Sequence, residues 1–248
     1  MSEKIALQLY SIRDVAAQIG YEEAIRKVAG MGYKNVETAG FPGTTAEAAK
    51  KLFNELGMTV VAAHVGLPLG ERKNEILDQV EALGKPPVLC TQIRPDDVKT
   101  QETIKDLCDR LNQGYQAAKE RGMQFGIHNH WWEFGELDGK LIHHIMLEHL
   151  DPGIFFEIDT YWVKVAGKDP VKIVSDLGTR VPLLHIKDGP ATREASMTAV
   201  GDGVMDVPSI LKAGGENAKY WVVELDRCDT DILEAVRKSH QYLSGLEM

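Results

Sequence analysis

Apolar runs of strand length alternate with segments of helical period from one end of this 248-residue chain to the other, and that alternation constrains the fold most. Eight such runs predict eight strands, at residues 4–11, 35–39, 59–65, 87–93, 124–130, 154–160, 182–188 and 220–225. Strand alternating with helix builds a parallel sheet, and eight units in this length imply a closed α/β barrel, the (β/α)8 or TIM barrel, more than an open sheet. An open doubly wound sheet is also disfavoured by its first strand-to-helix turn, "LYSIRDVAAQIG", which carries no Gly-rich phosphate loop. The expectation is one barrel domain over residues 1–248, a length that a single α/β barrel routinely takes.

The helical segments carry their own punctuation. Thr44 with Glu47 reads as a capping box, followed by an apolar stripe of Ala48, Leu52 and Leu56 and by Gly57 as a stop. Gly84, Gly122 and Gly178 repeat the stop signal. The last helix, "DILEAVRKSHQYL", turns Ile232, Val236 and Tyr242 to one side. His143, His144, His149 and His240 lie on helical segments and read as surface residues.

A hydrophobic share of 44% with 26% charged residues supplies a core and excludes disorder. No segment approaches the roughly 18 uninterrupted apolar residues of a membrane span, so a cytoplasmic protein is expected. A net charge of -9 without a basic run argues against nucleic acid, and acidic clefts attract divalent cations. Cys90, Cys108 and Cys228 form no CxxC pair, so neither a disulfide framework nor a zinc ribbon is expected, and they read as buried fillers.

In a barrel the active site lies at the C-terminal ends of the strands, which turns those ends into a search list. Side chains alternate along a strand, so apolar outward positions fix the inward ones. Ile127 outward leaves His128 and His130 inward. Phe156 and Ile158 leave Glu157 and Asp159, and Ile186 leaves His185 and Lys187. By the same parity Glu224, Glu37, Gln8 and Tyr10 face in, and His64 closes the third strand. Burying so many ionisable groups together costs several kcal/mol apiece unless they share a partner, and the strands offer no inward arginine. A divalent cation would serve. Two imidazoles with two carboxylates, His128, Asp159, His185 and Glu224, suit Mn, Co, Zn, Fe or Ni, and Mg less well. A lone strand-end histidine is an ordinary loop anchor; convergence of four neighbouring strands favours a shared ion. Trp131, Trp132 and Trp162 fit either a sugar-stacking wall or packing of the barrel mouth.

The ordered set "HNHWWEF", "EIDTYWVKVAG", "LLHIKDG", "VGDGVMD" and "VVELD" resembles the xylose isomerase-like TIM barrel superfamily of sugar isomerases and epimerases, inosose dehydratases and, more distantly, endonuclease IV. The resemblance spans nearly the whole chain. It implies a (β/α)8 barrel with one divalent metal at its mouth, whose ligands fall on Asp159, His185, Glu224 and His128. At His128 the sequence departs from the epimerase pattern, which has a glutamate there. Trp162 replaces a histidine common three residues after the metal aspartate. The implied activity is sugar isomerisation or epimerisation through proton removal next to a carbonyl. Glu224 or Glu157 would be the base, and Lys187 or His130 would donate or shuttle protons. Glu37, His64, Trp162 and Gln8 would bind substrate. Gly201 and Gly203, in "AVGDGVMD", would let backbone approach it. The same scaffold could instead act as a lyase or dehydratase of a keto-sugar or keto-glycoside, or bind a sugar without catalysis. The partner expected is a small sugar or polyol, with assembly into a homo-oligomer left open.

Overall fold

The computed structural model describes residues 2–247. Eight parallel strands close a barrel in chain order: β1 (Ile5–Gln8), β2 (Asn35–Thr38), β3 (Thr59–Val65), β4 (Val88–Cys90), β5 (Phe125–His128), β6 (Phe155–Asp159), β7 (Leu183–Ile186) and β8 (Tyr220–Val223). β8 returns to pair with β1, Ile5 opposite Trp221, so no edge is left open. A short antiparallel hairpin, Glu136–Leu137 with Lys140–Leu141, interrupts the connection between β5 and β6.

Outward side chains such as Leu7, Val36, Ile127, Ile158 and Ile186 merge with the apolar faces of the helices into one large core. The inward set is separate. Ala6 and Val222 pack with Val61, and Leu183 and Leu89 pack with Ala62, plugging the lower barrel. Gly126 faces inward because the ring of Phe155 fills the place its Cβ would take. Apolar residues therefore floor the barrel, and polar ones are stacked above.

Several strands stop sooner than their apolar runs suggest. β1 ends at Gln8 because its side-chain oxygen accepts from Tyr10 N at 3.1 Å and starts a 3-10 turn over Leu9–Ile12. Tyr10 thus leaves the strand and is exposed. β5 ends at His128 because Asn129 spends its side chain on the neighbouring strand. Its Oδ1 accepts from Asp159 N at 2.9 Å, and its Nδ2 donates to Asp159 O at 3.3 Å.

Thr45, not Thr44, caps the helix Ala46–Glu55, accepting from Ala48 N at 3.3 Å. The buried stripe is accordingly Ala46, Ala49, Leu52 and Phe53, with Ala48 exposed. Gly57, Gly84, Gly122 and Gly178 all adopt the positive φ expected after a helix. The last helix, Ile232–Gly245, is capped by Asp231 and buries Val236, while Ile232 and Tyr242 are half-buried. Cys90 and Cys108 are buried and Cys228 is half-buried. His144 and His149 are exposed, but His143 is buried against Phe134 and His240 is half-buried against Tyr33. No helix among the described residues is long and apolar enough to cross a membrane.

Candidate metal centre and active site

The inward polar residues form two layers. In the deeper one Glu37 and Glu157 meet the lower edge of His185, with Gln8 and His64 bound to those carboxylates. Gln8 Nε2 donates to Glu37 Oε2 at 2.7 Å. His185 Nε2 lies 2.7 Å from that oxygen and 3.0 Å from Glu157 Oε2, and His64 Nε2 lies 2.7 Å from the latter. His185 then spans to the upper layer, where its Nδ1 is 2.9 Å from Glu224 Oε2 and 4.0 Å from Asp159 Oδ2. His128 completes the ring with Nε2 3.9 Å from Asp159 Oδ2.

Local structure fixes each of these groups. Asp159 is the last residue of β6 and the N-cap of the helix Thr160–Val165. Its Oδ1 accepts from Trp162 N at 3.0 Å, which leaves Oδ2 aimed into the barrel. Asp159 sits opposite His185 in register, and His128 opposite Glu157. Lys187, fully buried, places Nζ 2.8 Å from Asp159 Oδ2, 2.7 Å from Glu224 Oε2 and 2.6 Å from Asp226 Oδ2. It is the inward cation among these carboxylates, where the strands supply no arginine.

The charges sort themselves by environment. Burial opposes ionisation of His185, but Glu157, Glu224 and Glu37 outweigh it and raise its pKa well above the ordinary value. Burial likewise opposes His64, which Glu37 and Glu157 nevertheless raise to about 10. His128 goes the other way: burial, then the positive neighbours His185, His64 and Lys187, lower its pKa well below the ordinary value and keep it neutral. Burial pushes Glu157 up, reinforced by Glu37. Against the cost of burial, Lys187 and His185 hold Glu224 well below the usual carboxylate range.

This donor set fits a divalent cation. His128, Asp159, His185 and Glu224 bring one ligand atom each within 4.8 Å of one another, all four buried, as do His64, His128, Glu157 and His185 one layer down. His128 is in the neutral form that ligates metal, its Nδ1 has no hydrogen-bond partner, and Asp159 Oδ2 has no aligned donor. Glu37 and Glu157 each leave one oxygen without a hydrogen bond as well. The upper set contains Glu224 and His128, which open on a cavity of roughly 420 Å³.

That cavity is also walled by His64, His130, Trp162, Lys187, Asp226 and Tyr10. Among the expected site residues, His64, His130, Trp162, Lys187 and Glu224 thus reach it. Gln8, Glu37 and Glu157 do not: all three are fully buried in the layer below. His130 lies past the end of β5, its ring stacked on Trp132 at 4.1 Å, its backbone N donating to buried Glu133 at 2.9 Å. The tryptophans pack on one another, Trp131 against Trp132 at 4.6 Å and Trp162 at 4.9 Å, and only Trp162 lines the cavity.

The glycine loop departs from expectation. Asp188 accepts from Gly189 N, Gly201 N and Met205 N at 2.8, 2.9 and 3.1 Å and so ties the loop down. A Cβ at Gly203 would strike Asp188, and one at Gly201 the ring of Tyr242. These glycines serve internal packing. Sequence reasoning missed Asp226, Asp188, Asn129 and Glu133. Asp226 shares the parity of Glu224, two residues on, and that signal could have found it.

Comparison with known proteins agrees with this architecture. The profile of the xylose isomerase-like TIM barrel family matches residues 25–243. A sugar phosphate isomerase/epimerase from Parabacteroides distasonis has a crystal structure that superposes with a TM-score of 0.82 at 25% identity, covering 98% of this chain and 94% of that one. An L-ribulose 3-epimerase shares the fold, with a TM-score of 0.74 at 14% identity over 97% of this chain and 93% of the other. An inosose dehydratase from Clostridium beijerinckii is 26% identical in an alignment of 163 positions that covers 58% of this chain and 54% of the relative, about half its length. With a closed eight-stranded barrel and a family profile matched over most of its length, the chain belongs to the xylose isomerase-like TIM barrel family.

Proposed function

We propose that this protein is a divalent-metal-dependent sugar isomerase or epimerase that removes a proton next to a carbonyl. The observation that carries it is the convergence of His128, Asp159, His185 and Glu224 from four neighbouring strands on one point under a polar cavity. Two imidazoles with two carboxylates favour Mn, Co, Zn, Fe or Ni over Mg. When bound there, such an ion would polarise a carbonyl and a neighbouring hydroxyl and offset the charge that develops on proton loss.

The remaining steps fall to the chain's own residues. Glu224, whose carboxylate reaches the cavity wall, is the base. Lys187 and protonated His64 donate to substrate oxygens from the floor and side of the same cavity. His130, on the rim and stacked on Trp132, returns the proton. Trp162 supplies an apolar wall for a sugar ring. Glu157 has no access to the cavity and acts through His64 and His185, and Glu37, itself bound by Gln8, holds those imidazoles. Return of the proton to the adjacent carbon gives isomerisation, and return to the opposite face gives epimerisation.

A second reading, elimination from a keto-sugar or keto-glycoside, is favoured by His128. A neutral imidazole offers no second carboxylate base across the substrate, whereas expulsion of a β-substituent needs only one base and an acid. The likeness to an inosose dehydratase points the same way. Metal analysis of the purified protein, followed by incubation with ketoses and inososes, tests both. Interconverted sugars support the first reading and released water or aglycone the second; metal-loaded protein that binds these compounds and converts none would leave only a sugar-binding barrel.

A further inference from the structure

Lys187 occupies an unusual place. Its Nζ contacts three carboxylates from two strand ends, yet only Asp226 Oδ2, at 2.6 Å, accepts an aligned hydrogen bond. Asp159 Oδ2 and Glu224 Oε2, at 2.8 and 2.7 Å, are close as charges but less well aligned as acceptors. Those two oxygens are also the ones nearest His185 Nδ1 and, for Asp159, His128 Nε2. The ammonium and a divalent ion would therefore draw on the same two atoms.

Resting on the metal centre proposed above, we propose that Lys187 is a tethered cation that competes with the divalent ion for Asp159 and Glu224, with Asp226 as the carboxylate that keeps Lys187 once the ion is bound. Charge accounts for the arrangement. With His185 neutral, as a metal ligand must be, three carboxylates and one ammonium leave two negative charges, which is what a divalent ion neutralises if Lys187 and Asp226 pair with each other. Without the ion, one ammonium is shared among three anions, which lets the site stay buried without collapse of its geometry. Position agrees as well. Asp226 is the only one of the three with appreciable side-chain exposure, 26%, so the pair it forms with Lys187 lies on the cavity side of the ion. The Lys187 ammonium also lies over the ring of Trp162, 5.5 Å from its centroid, on the wall of the same cavity.

The competition sets how tightly metal is held. Replacing the ammonium with an apolar group of similar length removes the competitor and leaves the ligands in place. Removing Asp226 has the opposite effect, because Lys187 then has no anion to retain except the two ligands. Mn2+ binding to metal-stripped protein at one fixed pH, by calorimetry, tests this without reference to activity. Lys187→Met is expected to bind Mn2+ at least tenfold more tightly than wild type, and Asp226→Asn at least tenfold more weakly. In the double variant the Asp226→Asn penalty should vanish. If Lys187→Met does not remain folded, Asp226→Asn, which keeps Lys187 compensated, decides alone: affinity equal to or above wild type overturns the proposal. Unchanged or weaker binding by folded Lys187→Met overturns it too, with the metal centre intact. Absence of Mn2+ binding in wild type and in every variant removes the metal centre itself, a different failure that takes the competition with it.

Discussion

Asp159 makes two contributions that a single substitution can separate. Oδ1 caps the helix Thr160–Val165 through Trp162 N, worth about 1 kcal/mol by analogy with other helix caps. Oδ2 faces His128, His185 and Lys187 and is the proposed ligand. Asparagine retains the capping oxygen but turns an amide N–H2, a donor, toward the metal position. For wild type, Mn2+ at one hundred times its Kd adds about 2.7 kcal/mol to stability. In a chain of this length that raises Tm by about 5–11 °C. If Asp159→Asn weakens the site a hundredfold, the same Mn2+ concentration adds only about 0.4 kcal/mol, a rise of about 1–2 °C. In EDTA the variant should melt close to wild type, because Lys187 keeps Glu224 and Asp226. Asp159→Ala should fall a further 1 kcal/mol or about that, having lost the cap. Differential scanning fluorimetry of EDTA-treated protein, with and without MnCl2, reads all three. A full Mn2+-induced rise in Asp159→Asn would refute the ligand assignment.

Three further outcomes follow from the same geometry. His130→Ala should leave the Mn2+-induced rise in Tm intact while turnover falls about a hundredfold or more, the range expected when a proton-transfer group is removed; loss of metal would mean that His130 and not His128 is the ligand. His143 is buried and its pKa is lowered to about 3, by burial and then by His144. The unfolded chain therefore binds the extra proton first, so as pH falls from 6.5 toward 3 this residue costs up to about 1.4 kcal/mol per pH unit, and that part of the acid slope should be absent from His143→Leu in urea melts run across this window. Gly126→Ala pushes a methyl into the ring of Phe155 inside the barrel and should cost about 1–3 kcal/mol, read by urea denaturation; an unchanged midpoint would mean the lower barrel is looser than its packing indicates.

The barrel was legible because its outward strand faces are continuous apolar runs, so every polar residue at an inward position stood out. Parity alone assigned His128, Glu157, Asp159, His185, Lys187 and Glu224 to the interior, and the structure buries all six. What parity could not supply was height. It does not say that Gln8, Glu37 and Glu157 form a layer beneath the cavity floor, because that depends on the stagger between strands, including the register shift between β2 and β3 at Val36 and Glu37. Strand ends were hidden for a similar reason. Gln8 and Asn129 end their strands by side-chain hydrogen bonds to backbone, a choice that composition does not reveal. Lys187 was read as a proton donor, and its role as a counter-charge was missed, since only the fold brings Asp159, Glu224 and Asp226 around it. His143 looked like a surface residue on a helix, but the helix Ile142–His149 buries that face against Phe134.

Anomalous diffraction from crystals grown with Mn2+ or Co2+ tests the metal centre most directly. One strong peak is expected within coordinating distance of His128, Asp159, His185 and Glu224, with Lys187 still paired to Asp226. A peak surrounded instead by His64, Glu157 and Glu37, or no peak at saturating metal, would contradict the account.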